Sequence, residues 1–170
     1  MTGVNAEIAL SISAELFGLA DLGTPKIRLT PISVLEQYSA GTDAVNKADL
    51  LFSDNRTLSA SASENLDLAG VLADAFGGSI VAAEIVAIYI NAAAGNTNSI
   101  VVGGAASNPF LGPLGATGTY TIKPGERYIA TSQSGWAVTA GTGDLLKILN
   151  GGAGTSVSYD IVLIGRTIAA

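Results

Sequence analysis

The chain has 170 residues, of which 48% are hydrophobic and only 13% charged, with no Cys, no His and a net charge of -6. This excludes disulfides, thiol nucleophiles, Zn–thiolate and iron–sulfur sites, and every catalytic arrangement built on imidazole. The acidic balance and the scattered basic residues (Lys26, Arg28, Lys47, Arg56, Lys123, Arg127, Lys147, Arg166) exclude a counterion-displacing nucleic-acid patch.

Charged residues normally make up about a quarter of a globular chain. Here they are half of that and mean hydropathy is +0.45. The chain is too apolar for disorder and long enough for one domain with its own core. So few charges imply that much of the outer surface is neutral or covered by copies of the chain or by a partner. Met1 to Ala20 carries Glu7 and Glu15 and no basic residue, so it does not read as a signal peptide. Ile80 to Ile90 is too short to span a bilayer and is broken by Glu84. The expectation is a protein made in a cytoplasm and not inserted in a membrane.

From Val4 to Leu16 the apolar residues Val4, Ala6, Ile8, Leu10, Ile12, Ala14 and Leu16 share one parity. That period of two predicts a strand with one apolar face. Gly18 to Pro25 reads as a turn. Ile27 and Leu29 continue the strand pattern until Pro31, after which the parity moves to Ile32 and Val34. A proline there predicts an edge or a bulge, hence a hairpin that borders the sheet or leaves the domain. Gln37 to Lys47 reads as a polar loop. Ala48–Phe52 and Arg56–Ala62 read as short strands joined by a turn at Ser53-Asp54-Asn55. The Ser/Ala alternation from Ser59 to Glu64 suits either a tightly packed sheet or a solvated loop.

Leu66 to Phe76 is the one candidate helix, with Asp67 as its cap, Gly70 as a weak point and Gly77-Gly78 as its stop. Ser79 to Asn91 is apolar on both parities and reads as a central strand buried on both faces. Further strands are expected at Ser99–Val102, Gly118–Lys123, Arg127–Ser132, Trp136–Thr139, Asp144–Leu149 and Ser156–Ile164. Turn signals punctuate them every 8–12 residues or so, the mark of a sandwich or barrel. The expected fold is all-β: a single β-sandwich, jelly-roll-like, with at most one short helix. It is one domain overall, with residues 1–46 as N-terminal strand, arm and hairpin and residues 47–170 as the sandwich core.

Four kinds of chemistry can be weighed. Gly141-Thr-Gly-Asp lacks the spacing of a phosphate loop and reads as a hairpin turn. Among the acids, Asp67 and Asp74 flank the candidate helix and Asp144 and Asp160 lie on late strands. Asp67 fits a cap and Asp144 a turn. Glu84 stands out because its strand looks buried, and either pairing with an arginine, such as Arg56 or Arg127, or facing an opening at the sheet surface would explain it. No catalytic residue, cofactor site or metal site is assigned, although Asp43, Asn46 and Asp49 form a loose acidic loop that a structural Ca²⁺ could use. Trp136 with Tyr120, Tyr128 and Tyr159 could build a sugar-stacking platform, but a single Trp in a sandwich more commonly anchors a core or an interface.

Three stretches carry a resemblance: Ala48–Gly78 (ADLLFSDNRTLSASASENLDLAGVLADAFGG), Asn91–Phe110 (NAAAGNTNSIVVGGAASNPF) and Tyr120–Gly165 (YTIKPGERYIATSQSGWAVTAGTGDLLKILNGGAGTSVSYDIVLIG). Together they resemble tailed-bacteriophage virion structural proteins, and among these the capsid decoration (cement) proteins. The resemblance implies no enzyme activity and no catalytic residue. It implies a virion location, with the major capsid protein and further copies of the chain, as dimer or trimer, for partners. Within that frame the apolar N-terminal residues Ile8, Leu10, Ile12 and Leu16, with Trp136, are the expected interface, and Met1–Tyr38 is expected to add to a neighbour's sheet edge or lie along the capsid. A tail-tube or fibre-associated protein is the alternative, and a carbohydrate-binding module the third.

Overall fold

The computed structural model describes residues 3–19, 23–42 and 44–170. Among them every regular element is a strand, and there is no helix to cross a membrane. The N-terminal part contains β1 (Ala6–Ile12), β2 (Glu15–Phe17), β3 (Lys26–Arg28), β4 (Ile32–Ala40) and the two-residue β5 (Lys47–Ala48). The remainder contains β6 (Leu50–Leu58), β7 (Ser63–Asp67), β8 (Ala69–Ala73), β9 (Ser79–Val81), β10 (Glu84–Ala92), β11 (Ile100–Gly103), β12 (Thr119–Ile122), β13 (Arg127–Ala137), β14 (Leu145–Asn150) and β15 (Val157–Arg166).

Two four-stranded sheets face each other, ordered β13-β10-β15-β6 and β12-β11-β14-β7, and every pairing within them is antiparallel. Inward-facing residues alternate along each strand. Ile88 and Ile90, with Tyr159, Ile161 and Leu163, come from the first sheet, and Leu66, Ile100, Ile122, Leu146 and Ile148 from the second; all lie in one buried cluster. Burying an aliphatic side chain of this size contributes about 1.5–3 kcal/mol, so this cluster dominates the stability. Pairs β8–β9 and β2–β3 are separate hairpins, and β1-β4-β5 forms a small third sheet.

The third sheet lies on the outer face of the first. Tyr38 and Ala48 bury Val86, Ala87 and Ile164 there, with Val4, Ala6, Ile8 and Val162 packed around them. This is why β10 is apolar on both parities: one face meets the sandwich core and the other meets the arm. It is also central, paired with both β13 and β15. The apolar run predicted there as one strand is interrupted, because β9 ends at Val81 and β10 starts at Glu84.

Several sequence expectations are corrected. Leu66–Phe76 is not a helix. Its first part is β7, zipped to β14 with Leu66 opposite Leu146, and Ala69–Ala73 is β8. Leu66, Leu68 and Leu72 are buried on strand spacing, and Gly70 takes φ +147°, outside the helical region. Ser53-Asp54-Asn55 is not a turn. Those residues pair with Val162, Ile161 and Asp160 inside β6, and Asn55 donates to Asp160 at 2.7 Å. The two strands expected around Ser134-Gly135 are one strand, β13. Register jumps from Trp136 opposite Ile85 to Thr131 opposite Ala87, so residues 132–135 bulge out. Gln37–Ala40 extends β4 and Lys47 belongs to β5, so the expected loop is confined between them.

Glu84 is an ion-pair member, as expected, but its partner is neither Arg56 nor Arg127. Arg166 is fully buried; its Nε donates to Glu84 Oε2 at 2.9 Å, its Nη2 reaches the same oxygen, and its Nη1 donates to the Ala44 carbonyl at 2.8 Å. Arg56 instead pairs with Glu64 and Asp54. The bulge makes room for the Glu84–Arg166 pair. Gly135 sits there at φ +77°, and a Cβ on it would fall 2.8 Å from both Arg166 Nη2 and Glu84 Oε2.

Candidate functional site

The feature that rises from the sandwich is the ribbon of β1 and β4, continued by the β2–β3 hairpin. Register sets its chemistry. Ala6, Ile8, Leu10 and Ile12 stand opposite Tyr38, Glu36, Val34 and Ile32, so all eight share one face. At the root this face is packed: Tyr38 is buried and Ile8 half-buried over the first sheet. Further out on the same face Leu10, Ile12, Val34 and Ile32 belong to neither buried cluster among the described residues and are each about half exposed.

In the hairpin, Leu16 stands opposite Ile27 and the two are 69% and 70% exposed, with Phe17 at 61%. Glu15 holds the hairpin through Lys26 at 3.4 Å and Arg28 at 3.6 Å, and Lys26 Nζ lies 5.0 Å from the Phe17 ring centre. Exposed ion pairs of this kind contribute about 0–1 kcal/mol. Leu19, Leu29 and Leu35 are also exposed. Leu35, opposite Ala9, lies on the other face of the ribbon from Leu10 and Val34, so exposed apolar groups are present on both faces. A concentration of this kind makes the ribbon the candidate interaction site.

The root is fixed by polar contacts. Val4 N–H donates to the Ala48 carbonyl at 3.2 Å, and Lys47 Nζ donates to Ser39 Oγ at 2.8 Å. The Thr131 hydroxyl donates to Glu36 Oε1 at 3.1 Å, crossing from β13 to β4. Burial, then the neighbouring Glu36 carboxylate, pushes the Tyr38 phenol up to about 12. Arg166 also reaches the root, since Ala44 lies between β4 and β5.

Four of the five expected interface residues therefore sit together on the ribbon, but they divide by role. Ile8 is a root residue; Leu10 and Ile12 are on the overhanging face; Leu16 is in the hairpin beyond it. Trp136 is elsewhere: it stands opposite Ile85 and packs, half-buried, against the sandwich core. The aromatic platform is not assembled as a surface. Tyr120 and Tyr128 meet with ring centres 5.0 Å apart, while Tyr159 is buried and donates to Glu64 Oε1 at 2.6 Å.

The acids weighed for chemistry have structural partners. Asp67 accepts the Ala69 N–H, and Asp74 accepts those of Phe76 and Gly78, each within a turn. Asp144 accepts the Gly141 N–H in the expected hairpin turn. Asp160 is held by the amides of Asn55 and Asn91, which keep its carboxyl below the usual range. Asp49 accepts from both the N–H and the hydroxyl of Thr167. Asp43 lies outside the described residues, and among those described no three potential metal-ligating side chains gather.

On the return strand, Ile32 and Val34 extend the surface beyond the sequence assignment, while the buried Tyr38 anchors it. Their parity was visible, but only the pairing of β4 with β1 places them on the same face. A second exposed group, Val71, Phe76 and Val81, lies on the β8–β9 hairpin, whose first half, to Phe76, was expected to be helical and whose second half was expected to be a strand. No protein-family model matches the chain, and no curated protein or solved structure is significantly similar to it.

Proposed function

We propose that the protein is a structural virion component that binds and stabilises the assembled phage capsid surface, a decoration or cement protein working through oligomeric β-sheet contacts. The observation that carries the reading is the ribbon: a rigid sandwich presents an anchored arm whose distal residues Leu10, Ile12, Leu16 and Phe17 are exposed apolar groups. Such an arm favours whatever lattice it can cover, and a ligand that binds only the assembled lattice stabilises it by mass action. The resemblance of three segments to phage virion proteins supports the same reading, as does an acidic chain that stays soluble and off DNA before assembly. The jelly-roll form of the sandwich is part of the proposal. Counting the eight sandwich strands along the chain, β6, β15, β10 and β13 are the first, eighth, third and sixth, and β7, β14, β11 and β12 are the second, seventh, fourth and fifth. That interleaving supports two interlocked Greek keys.

The test is co-sedimentation with expanded empty capsids, followed by heat challenge. The expected result is saturable coating that raises the capsid's disruption temperature and is lost in the pair Leu16→Asp, Phe17→Asp. Immunogold labelling confined to the tail would replace this reading with the tail-component alternative.

A further inference from the structure

We propose that β1 is a dimerisation strand, pairing antiparallel with β1 of a second copy about a two-fold axis at Ala9. The proposal deepens the oligomeric part of the reading above, but it needs no capsid.

The first observation is the edge. In the order β1-β4-β5, β1 is terminal, and no other described strand pairs with its outer side. Natural edge strands are usually blunted by lysine, proline, a bulge or extreme shortness. Ala6–Ile12 is a seven-residue strand with none of these, and its register against β4 is unbroken.

The second observation is that the segment is self-complementary. Antiparallel pairing about Ala9 sets Ile8 opposite Leu10 of the second copy and Ala6 opposite Ile12, all on the apolar face. On the other face Glu7 meets Ser11 and Ala9 meets Ala9. No glutamate faces a glutamate, and no apolar residue faces a polar one. Opposed apolar pairs stabilise a sheet and like charges directly opposite destabilise it. A two-fold interface demands this kind of self-match.

The third observation is what lies beneath. A groove of about 330 Å³ runs beside β1, lined by Ile8 and Ala9 and, on the first sheet, by Ala87, Tyr89, Ile129 and Val162. No β4 residue lines it, although Thr131, which does, donates to Glu36 on β4. The groove continues the apolar face on which the ribbon's own root is already packed. In the proposed register Leu10 and Ile12 of the second copy lie next to Ile8 and Ala6, over this groove. The overhanging residues of each copy thus fill the open groove of the other. The product is one six-stranded sheet, β5-β4-β1 joined to β1-β4-β5, laid across two sandwiches.

The register gives the test. Light scattering and sedimentation at micromolar concentration should show a dimer of the unmodified protein. Ala9→Glu and Ala9→Lys alone should each weaken it roughly tenfold or more, because each places like charges across the axis. An equimolar mixture of the two variants should restore it. Ser11→Lys, which meets Glu7 of the second copy, should tighten the dimer, and Ser11→Glu should weaken it. Both positions, Ala9 and Ser11, are solvent-facing, and an unchanged unfolding temperature at low concentration confirms that the variants fold. A monomeric unmodified protein overturns the proposal, as does failure of the mixture to rescue. The capsid reading is judged separately: a dimer that ignores capsids leaves this inference standing and removes that one, whereas a monomer that coats capsids does the reverse.

Discussion

A guanidinium with no access to solvent, such as that of Arg166, is tolerable only because its donors are spent on Glu84 and on the Ala44 and Gln133 carbonyls. Removing one member of a buried pair strands the other, at a cost of about 3–5 kcal/mol. Arg166→Ala should show that loss in urea unfolding, and the double change Arg166→Met, Glu84→Leu should recover a substantial part of it. Glu84 was legible as an anomaly in an apolar strand. Its partner was not, because the two lie 82 residues apart and only the pairing of β10 with β15 brings them together. Tyr159 makes a pH prediction. Burial, then its hydrogen bond to Glu64, holds its phenol above the ordinary value, and burial does the same for Tyr128. A group whose folded pKa is raised stabilises fully below its unfolded pKa, so stability should be level through neutral pH and fall as pH rises above about 10. Thermal unfolding followed from pH 8 to 11 should show this decline, and Tyr159→Phe should flatten it.

At the scale of the element, one pattern produces both a foundation and an overhang. Period-two alternation from Val4 to Leu16 announced one strand with an apolar face; the structure divides that run into β1 and β2, with Ser13-Ala14 between them. The sequence has no mark at Ala9 where support ends, because support depends on how far the first sheet extends beneath the ribbon. The consequence is measurable. Leu10→Asp and Ile12→Asp, on the unsupported face, should leave the monomer's unfolding free energy within about 0.5 kcal/mol. Ile88→Ala, inside the sandwich, should cost about 2–5 kcal/mol. Equal losses would mean that the overhang is packed within its own chain. The misread elements have related causes. Leu66–Phe76 is apolar at enough positions to satisfy a period of 3.6 as well as 2, and the partner strand β14, distant in sequence, decides between them. Ser53-Asp54-Asn55 has the composition of a turn, yet β6 lies at the sheet's border. There, polar side chains find partners, Arg56 with Glu64 and Asn55 with Asp160, without interrupting the ladder.

For the molecule as a whole, the sandwich and the ribbon are separable in energy. The large cluster between the sheets contains no arm residue, and the smaller one involves only the ribbon's root. Replacing Leu10–Val34 by an Asn-Gly turn joins Ala9 to Leu35, which already stand opposite each other. The two-residue link suits a tight hairpin. This shortened protein should fold, keep its cooperative unfolding and be monomeric, as scanning calorimetry and light scattering would record. The all-β class was legible because turn residues recur at strand-length intervals. The order in which the strands wrap was not, since it depends on contacts between segments far apart along the chain.

The two ends of the described chain meet at one corner. Val4 is tied to Ala48 and Thr167 to Asp49, neighbouring residues just before β6. Joining the ends by a short linker and reopening the backbone at the exposed Gly151–Gly154 turn would therefore give a circular permutant with the same sheets. In that molecule β15 would be made ahead of the ribbon, and the other seven sandwich strands would follow it.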